Sequence, residues 1–211
     1  SDKKYILKAI NSKNKKLFKN WKANILHEKC NLNLLNKDFK INKASINSKK
    51  INKKDIFFAI KGKKNNGNLF IKESFKNGAS LAVVNKIDKT TDSKKQLLVK
   101  DSLKVLTNVA KKIRLTSKAK IIAITGSCGK TSLKEILGHV FGKISNVSYS
   151  PSSYNNKYGV PLSLFNIKQK DDFGVFEVGM DKIGEIDFLS KIIMPDVAVI
   201  TNISYAHAKN F

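Results

Sequence analysis

Apolar residues in this chain fall into short runs that alternate with longer stretches of helical spacing. Residues 55–60 (Asp-Ile-Phe-Phe-Ala-Ile), 80–84 (Ser-Leu-Ala-Val-Val) and 96–99 (Gln-Leu-Leu-Val) read as strands. Lys61-Gly62 stops the first, Asn65-Asn-Gly-Asn68 supplies turn chemistry, and Gly78 ends a helix expected over 69–76. A further helix is expected over 102–114, and the polar stretch Thr116-Ser-Lys-Ala-Lys120, which has no apolar period, marks a boundary. Beyond it, strands at 121–124, 146–149, 173–178 and 196–200 alternate with helices at 130–141, 161–165 (Pro161 in the first turn) and 184–193. That alternation implies an α/β fold: a small N-terminal α/β unit, then a mostly parallel sheet with helices on both faces and ligands at the carboxyl ends of its strands. The expected division is 1–45, a basic extension offering only an amphipathic helix near 17–26, then 46–117, then 118–211.

Composition narrows the class. The 211 residues are 41% hydrophobic, enough for a real core, and contain neither an apolar run long enough for a membrane span nor a signal peptide. Cys30 and Cys128 lie too far apart for a paired metal motif and form no disulfide framework, so a reduced, cytoplasmic setting is expected. The net charge of +25 invites a nucleic-acid reading, yet among the 41 basic residues only Arg114 is an arginine, and the lysines are scattered. Base and phosphate recognition favours the arginine fork, so nucleic acid is the weaker reading, and a solvated lysine surface that steers anions the stronger.

The strongest local signal is Thr125-Gly-Ser-Cys-Gly-Lys-Thr-Ser132, directly after an apolar strand and opening a helix. Gly126 and Gly129 permit a tight turn with inward amides, Ser127 and Cys128 fill it, and the helix start adds its positive dipole end. Lys130 is placed to reach β- and γ-phosphates, Thr131 to offer its hydroxyl to Mg²⁺, with Thr125 and Ser132 flanking. The spacing is shorter than the common P-loop, whose first glycine would stand at Ile124. Oxidation of Cys128 is expected to block nucleotide binding there.

This loop, together with three further segments, resembles the Mur ligases, which build the peptide stem of bacterial cell-wall precursors. Tyr154-Asn-Asn-Lys-Tyr-Gly-Val-Pro-Leu-Ser-Leu164 is similar to the family's Asn-Asn-x-x-Gly-Val-Pro-Leu segment, in the branch that adds D-alanyl-D-alanine. Phe176-Glu-Val-Gly-Met180 resembles its Glu-Met-Gly strand end, and 201–211 resembles its Asn-x-x-x-x-His-x-x-x-Phe element. The stretch 48–62 resembles an opening that grips UDP, with Asn47 and Lys49 where the family has aspartate and arginine.

The resemblance implies an ATP- and Mg²⁺-dependent ligase. It would join UDP-N-acetylmuramoyl-tripeptide to D-alanyl-D-alanine through an acyl-phosphate, with 46–117 as the UDP-binding domain, and act as a monomer. It assigns Lys130, Glu177 and His207 to the chemistry, and Thr131, Glu177 and His207 to metal. Ser48, Lys49, Asn155 and Asn156 would touch substrate. Because both steps gather negative charge, cations and aimed dipoles matter more than a nucleophile. Asp181 and Glu185 are expected to serve helix capping instead. The family's carbamylated lysine and its amine-binding domain have no counterpart up to Phe211, so these residues alone are expected to bind UDP-sugar and MgATP weakly without turnover. Competing readings are another Mur ligase with a different amino acid, a small-molecule P-loop kinase, and a basic nucleic-acid protein with a coincidental anion loop.

Overall fold

The structure, a computed structural model, describes residues 21–30, 40–62 and 65–204. Helix α1 (Trp21–Cys30) leads into β1 (Ala44–Ser45), β2 (Ile56–Phe58), α2 (Ile71–Lys76), β3 (Leu81–Val84), β4 (Gln96–Leu98) and α3 (Ser102–Thr116). The second half runs β5 (Lys120–Thr125), α4 (Lys130–Ile144), β6 (Val147–Tyr149), α5 (Gly159–Phe165), β7 (Phe173–Glu177), α6 (Glu185–Ile193) and β8 (Val197–Ile200). Two four-stranded sheets result, in the orders β1-β2-β3-β4 and β6-β7-β5-β8, with every strand pair parallel. The α/β class expected from the alternation is what the chain adopts.

Strand alternation sorts the core into layers. Ile56 and Phe58 turn one way, while Phe57 and Ala59 turn the other, against Ile51 and Ile71. In β5, Ile121 and Ala123 face inward, and Ile122 and Ile124 meet Leu133, Leu137 and Phe141 of α4. Between the sheets lies one continuous core, where α3 (Leu106, Val109, Ile113), α5 (Leu164, Phe165) and α6 (Leu189, Ile192) pack together. Phe58 meets Phe165 edge to face at 5.8 Å, so the first sheet is locked to a helix covering the second. The inner strands β2, β3, β5 and β7 are covered on both faces and are near-continuously apolar, as a parallel architecture requires, whereas the edge strand β8 is largely exposed.

The first 45 residues contribute more than a basic extension. Ala23, Ile25 and Leu26 of α1 are buried in the central core, and β1, which lies at 44–45, pairs with β2. The part of the expected helix before Trp21 lies outside the described residues. The lone arginine joins two elements of the second half. Arg114, near the end of α3, donates Nε to the carbonyl oxygens of Ile193 (2.9 Å) and Met194 (3.0 Å). Its Nη2 reaches Asp196 Oδ2 at 2.8 Å. Its planar fork thus receives the orphan carbonyls at the end of α6.

Candidate active site

Three strand ends meet at the carboxyl edge of the second sheet. Register pairs Ile124 of β5 with Glu177 of β7, and Thr125 with Ile200 of β8. The loop after β5 therefore lies between Glu177 on one side and Thr201-Asn202 on the other.

The loop takes the path its glycines allow. Gly126 has φ +129, and an added Cβ there would stand 2.2 Å from Thr201 Oγ1. Gly129 caps α4 in the left-handed region at φ 81, without any side-chain cap, so the first-turn amides of α4 are left for a ligand or water. Thr201 Oγ1 donates to the carbonyl oxygens of Cys128 (2.5 Å) and Thr125 (3.2 Å). Asn202 accepts the Ser127 amide on its backbone oxygen and the Cys128 amide on Oδ1, each at 3.0 Å. Ser127 Oγ in turn exchanges hydrogen bonds with the backbone of Ser204. Thr201 and Asn202 belong to a strand-end motif visible in the sequence, but their hold on the loop is not.

Lys130 folds back over the turn, donating to the carbonyl oxygens of Gly126 (2.5 Å) and Ser127 (3.4 Å). Thr131 Oγ1 donates to Glu177 Oε2 at 2.8 Å, and Asn155 Nδ2 donates to Glu177 Oε1 at 2.8 Å. Glu177 is only 2% exposed, and its backbone amide reaches Ser150 Oγ at 3.3 Å. Its donors are neutral; among the described residues no lysine or arginine pairs with it. Ser132 is exposed on the next position of α4.

The two adjacent asparagines part company. Asn155 serves Glu177 and, through its carbonyl oxygen, the Gly179 amide at 2.7 Å. Asn156 Oδ1 instead accepts the amides of Tyr158 and Gly159, each at 3.0 Å, and so caps α5. Glu185, expected to serve capping, accepts the Asp181 amide at 2.7 Å. His207 lies outside the described residues.

One residue at this edge carries no motif that would single it out. Lys134 has a side chain of 0% exposure and donates to Ser152 O at 2.6 Å, with Glu135 beside it at 2.9 Å. Ser152 is held at φ 48, three positions before Asn155. A lysine at a core-facing position of an otherwise apolar helix face is the signal that could have found it.

At the first sheet, Ser48 and Lys49 sit in a 3-10 turn (Ser48–Lys50) just past β1, capped by Asn47, whose Oδ1 accepts the Lys49 amide at 3.0 Å. Asn47 thereby performs the capping an aspartate would perform. Ser48 is buried and donates to Glu73 Oε2 at 2.5 Å, whereas Lys49 is exposed.

With this geometry in place, likenesses to known proteins become informative. Residues 124–211 match the Mur ligase middle domain. The chain is 37% identical over 174 residues to the UDP-N-acetylmuramoyl-tripeptide--D-alanyl-D-alanine ligase of Buchnera aphidicola, covering 82% of this chain and 38% of that protein. It superposes on MurF from Acinetobacter baumannii with a TM-score of 0.74 at 30% identity, over 90% of this chain and 43% of the other. It also superposes on the MurF ligase of Thermotoga maritima in complex with ADP, with a TM-score of 0.64 at 34% identity, over 78% of this chain and 38% of the other. The chain thus spans about two fifths of the length of the relatives it matches. By the domain matched at 124–211 and by these relatives, the chain belongs to the Mur ligase family.

Proposed function

We propose that this chain supplies the UDP-sugar and nucleotide sites of an ATP-dependent ligase that joins UDP-N-acetylmuramoyl-tripeptide to D-alanyl-D-alanine. The observation that carries the reading is the Thr131–Glu177–Asn155 constellation beside the glycine turn. The names of the relatives support the substrate pair, and the ADP complex of one of them supports nucleotide at the loop.

Magnesium fits the residues present. Glu177 and Thr131 offer only oxygen, the donor this hard cation prefers, and one carboxylate completed by hydroxyl, water and phosphate oxygens is a common way of holding it. When bound, the ion would neutralise phosphate charge. Asn155 fixes the carboxylate's orientation from the far side, so Glu177 needs no rearrangement to meet a cation. Lys130 lies over the turn, ready to exchange two carbonyl partners for phosphate oxygens. The loop amides and the start of α4 receive the anion, and the tripeptide carboxylate would accept the γ-phosphoryl group to give the acyl-phosphate that the amine then attacks. His207 is the candidate second metal ligand, and Ser48 and Lys49 the candidate diphosphate contacts. Asn156 is retained as a substrate contact through its amide nitrogen alone, its oxygen being engaged in the cap. A cytoplasmic setting and a monomeric state complete the proposal. Among the described residues, no helix is long and apolar enough to cross a membrane.

The substrate half is tested by calorimetric titration of the chain with UDP-N-acetylmuramoyl-tripeptide and, separately, UDP-glucose. Binding of the muramoyl tripeptide at roughly tenfold or greater preference supports the reading. Equal affinity for the two, with MgATP still bound, would assign the nucleotide site to a different acceptor.

A further inference from the structure

The segment entering β1 and the connection from α5 to β7 both lie at the amino-terminal ends of their strands, away from the loop. They frame a cavity of about 290 Å³ whose lining includes Trp21, Lys22, Lys43, Asn166, Lys168 and Gln169. We propose that this cavity binds a small, multiply charged oxyanion of the phosphate or pyrophosphate class, held by the ammonium groups of Lys22, Lys43 and Lys168, with Trp21 as its apolar wall.

Lysine is abundant throughout this chain, so lysines at a pocket rim mean little by themselves. Lys22 is different because it is only 4% exposed. A buried ammonium is expensive unless compensated, and lysine brings three donors to satisfy. Among the described residues, its ammonium meets the Asn42 carbonyl oxygen at 3.2 Å and the Phe165 ring at 5.4 Å, and no carboxylate pairs with it.

The nearest acids are already engaged. Asp171 accepts Ser148 Oγ and the Lys168 amide, the latter at 2.8 Å. Asp55 accepts the amides of Lys43 (3.1 Å) and Asn52 (2.9 Å). They attract Lys22 from a distance, while Lys43 and Lys168 repel it. Burial outweighs both and pushes the Lys22 pKa down to about 8. An oxyanion in the cavity would relieve the repulsion among the three cations and compensate the buried charge of Lys22.

The frame is also fixed before any ligand arrives. Asn166 Oδ1 accepts the Ala44 amide at 2.8 Å and its Nδ2 donates to the Ala44 carbonyl oxygen at 3.2 Å, fastening the α5–β7 connection to β1. Preorganisation of this kind lowers the entropic penalty of binding.

Trp21 is the chain's only tryptophan, so its emission reports on this cavity alone. The chain is titrated with inorganic pyrophosphate at constant ionic strength, with chloride as the control anion. A saturable emission change that chloride does not reproduce is expected. It should persist in Lys130→Ala and weaken roughly tenfold in Lys22→Met, one lost charge-assisted contact. Because Lys22 is buried, the exposed pair Lys43→Gln/Lys168→Gln provides a second variant that leaves the core intact and should weaken binding at least as much. A response that is absent, that keeps its full affinity in either lysine variant, or that vanishes in Lys130→Ala overturns the proposal.

Discussion

Thr131 donates its hydroxyl to the buried carboxylate of Glu177 at 2.8 Å, joining the first turn of α4 to the end of β7 across 46 positions of sequence. With Asn155 on the other carboxylate oxygen, a loop, a helix start and a strand end form one hydrogen-bonded unit. Whatever disturbs one member should be felt by the others.

Lys134 gives a way to disturb it from behind. Its buried ammonium holds Ser152 O at 2.6 Å and so fixes the segment that delivers Asn155. Lys134→Met fills similar volume but leaves the Ser152 carbonyl oxygen without its donor, which costs about 1–3 kcal/mol. The expected outcome is a modestly lowered melting temperature with MgATP affinity lowered roughly tenfold or more, as for loss of a supporting contact. Unchanged affinity would mean that Lys134 serves packing alone.

Arg114 is the only arginine, and it binds three groups that a lysine could not bind together. Arg114→Lys should lower unfolding stability by about 1–3 kcal/mol in urea titrations. Asp196 responds to pH in the same place. The Ile121 amide first, then Arg114 and Lys120, hold its carboxyl below the ordinary carboxylate value, against partial desolvation. A depressed carboxylate contributes stability above its unfolded value and loses it as pH falls through the folded one. Asp196→Asn should therefore remove part of the acid-side loss below about pH 4.

For Lys22 the sign is opposite. Below about pH 8 it is protonated in both states, so the folded protein carries the full penalty of burying the charge. Between about 8 and the ordinary 10.5 the unfolded chain holds a proton that the folded chain has released, and stability rises with pH. Asp171 and Asp55 moderate the penalty, while Lys43 and Lys168 add to it. In anion-free buffer Lys22→Met should be the more stable protein at pH 7, by at most about 3 kcal/mol. The gap should close as pH approaches the unfolded value; a gap independent of pH would show that Lys22 is not the titrating group.

Cys128 is exposed in the middle of the glycine turn after β5, with Asn202 Nδ2 at 2.9 Å from its sulfur. Alkylation with N-ethylmaleimide would place a bulky group on the loop and displace Asn202. MgATP binding should then be lost, and saturating MgATP should slow the modification. Modified protein that binds ATP as before would remove the loop from the nucleotide site.

Much of this fold is legible in the sequence, for physical reasons that differ by element. β5 from Ile121 to Ile124 and β7 from Phe173 to Phe176 are free of polar side chains because both of their faces are covered, and each expected strand appears within a residue or two. Gly126 and Gly129 are legible because only glycine suits positive φ beside Thr201. What escapes are pairings set by tertiary contact. Two-residue β1 carries no period of its own, and α1 joins the core from a segment that composition marks as polar. Neither Asn202's hold on the loop nor the division of labour between Asn155 and Asn156 can be read before the strand ends are brought together.

In the proposed function, the turn closing at Lys130 receives a nucleoside triphosphate beside a magnesium site at Glu177. Isothermal titration of the chain with ATP, with and without Mg²⁺, addresses it directly, alongside Lys130→Ala and Glu177→Gln. Saturable binding is expected, and Lys130→Ala should weaken it roughly a hundredfold, by loss of a charged phosphate contact. In Glu177→Gln, the Mg²⁺-dependent part of the affinity should vanish while the Mg²⁺-independent part remains. Equal affinity of all three proteins for MgATP would contradict it.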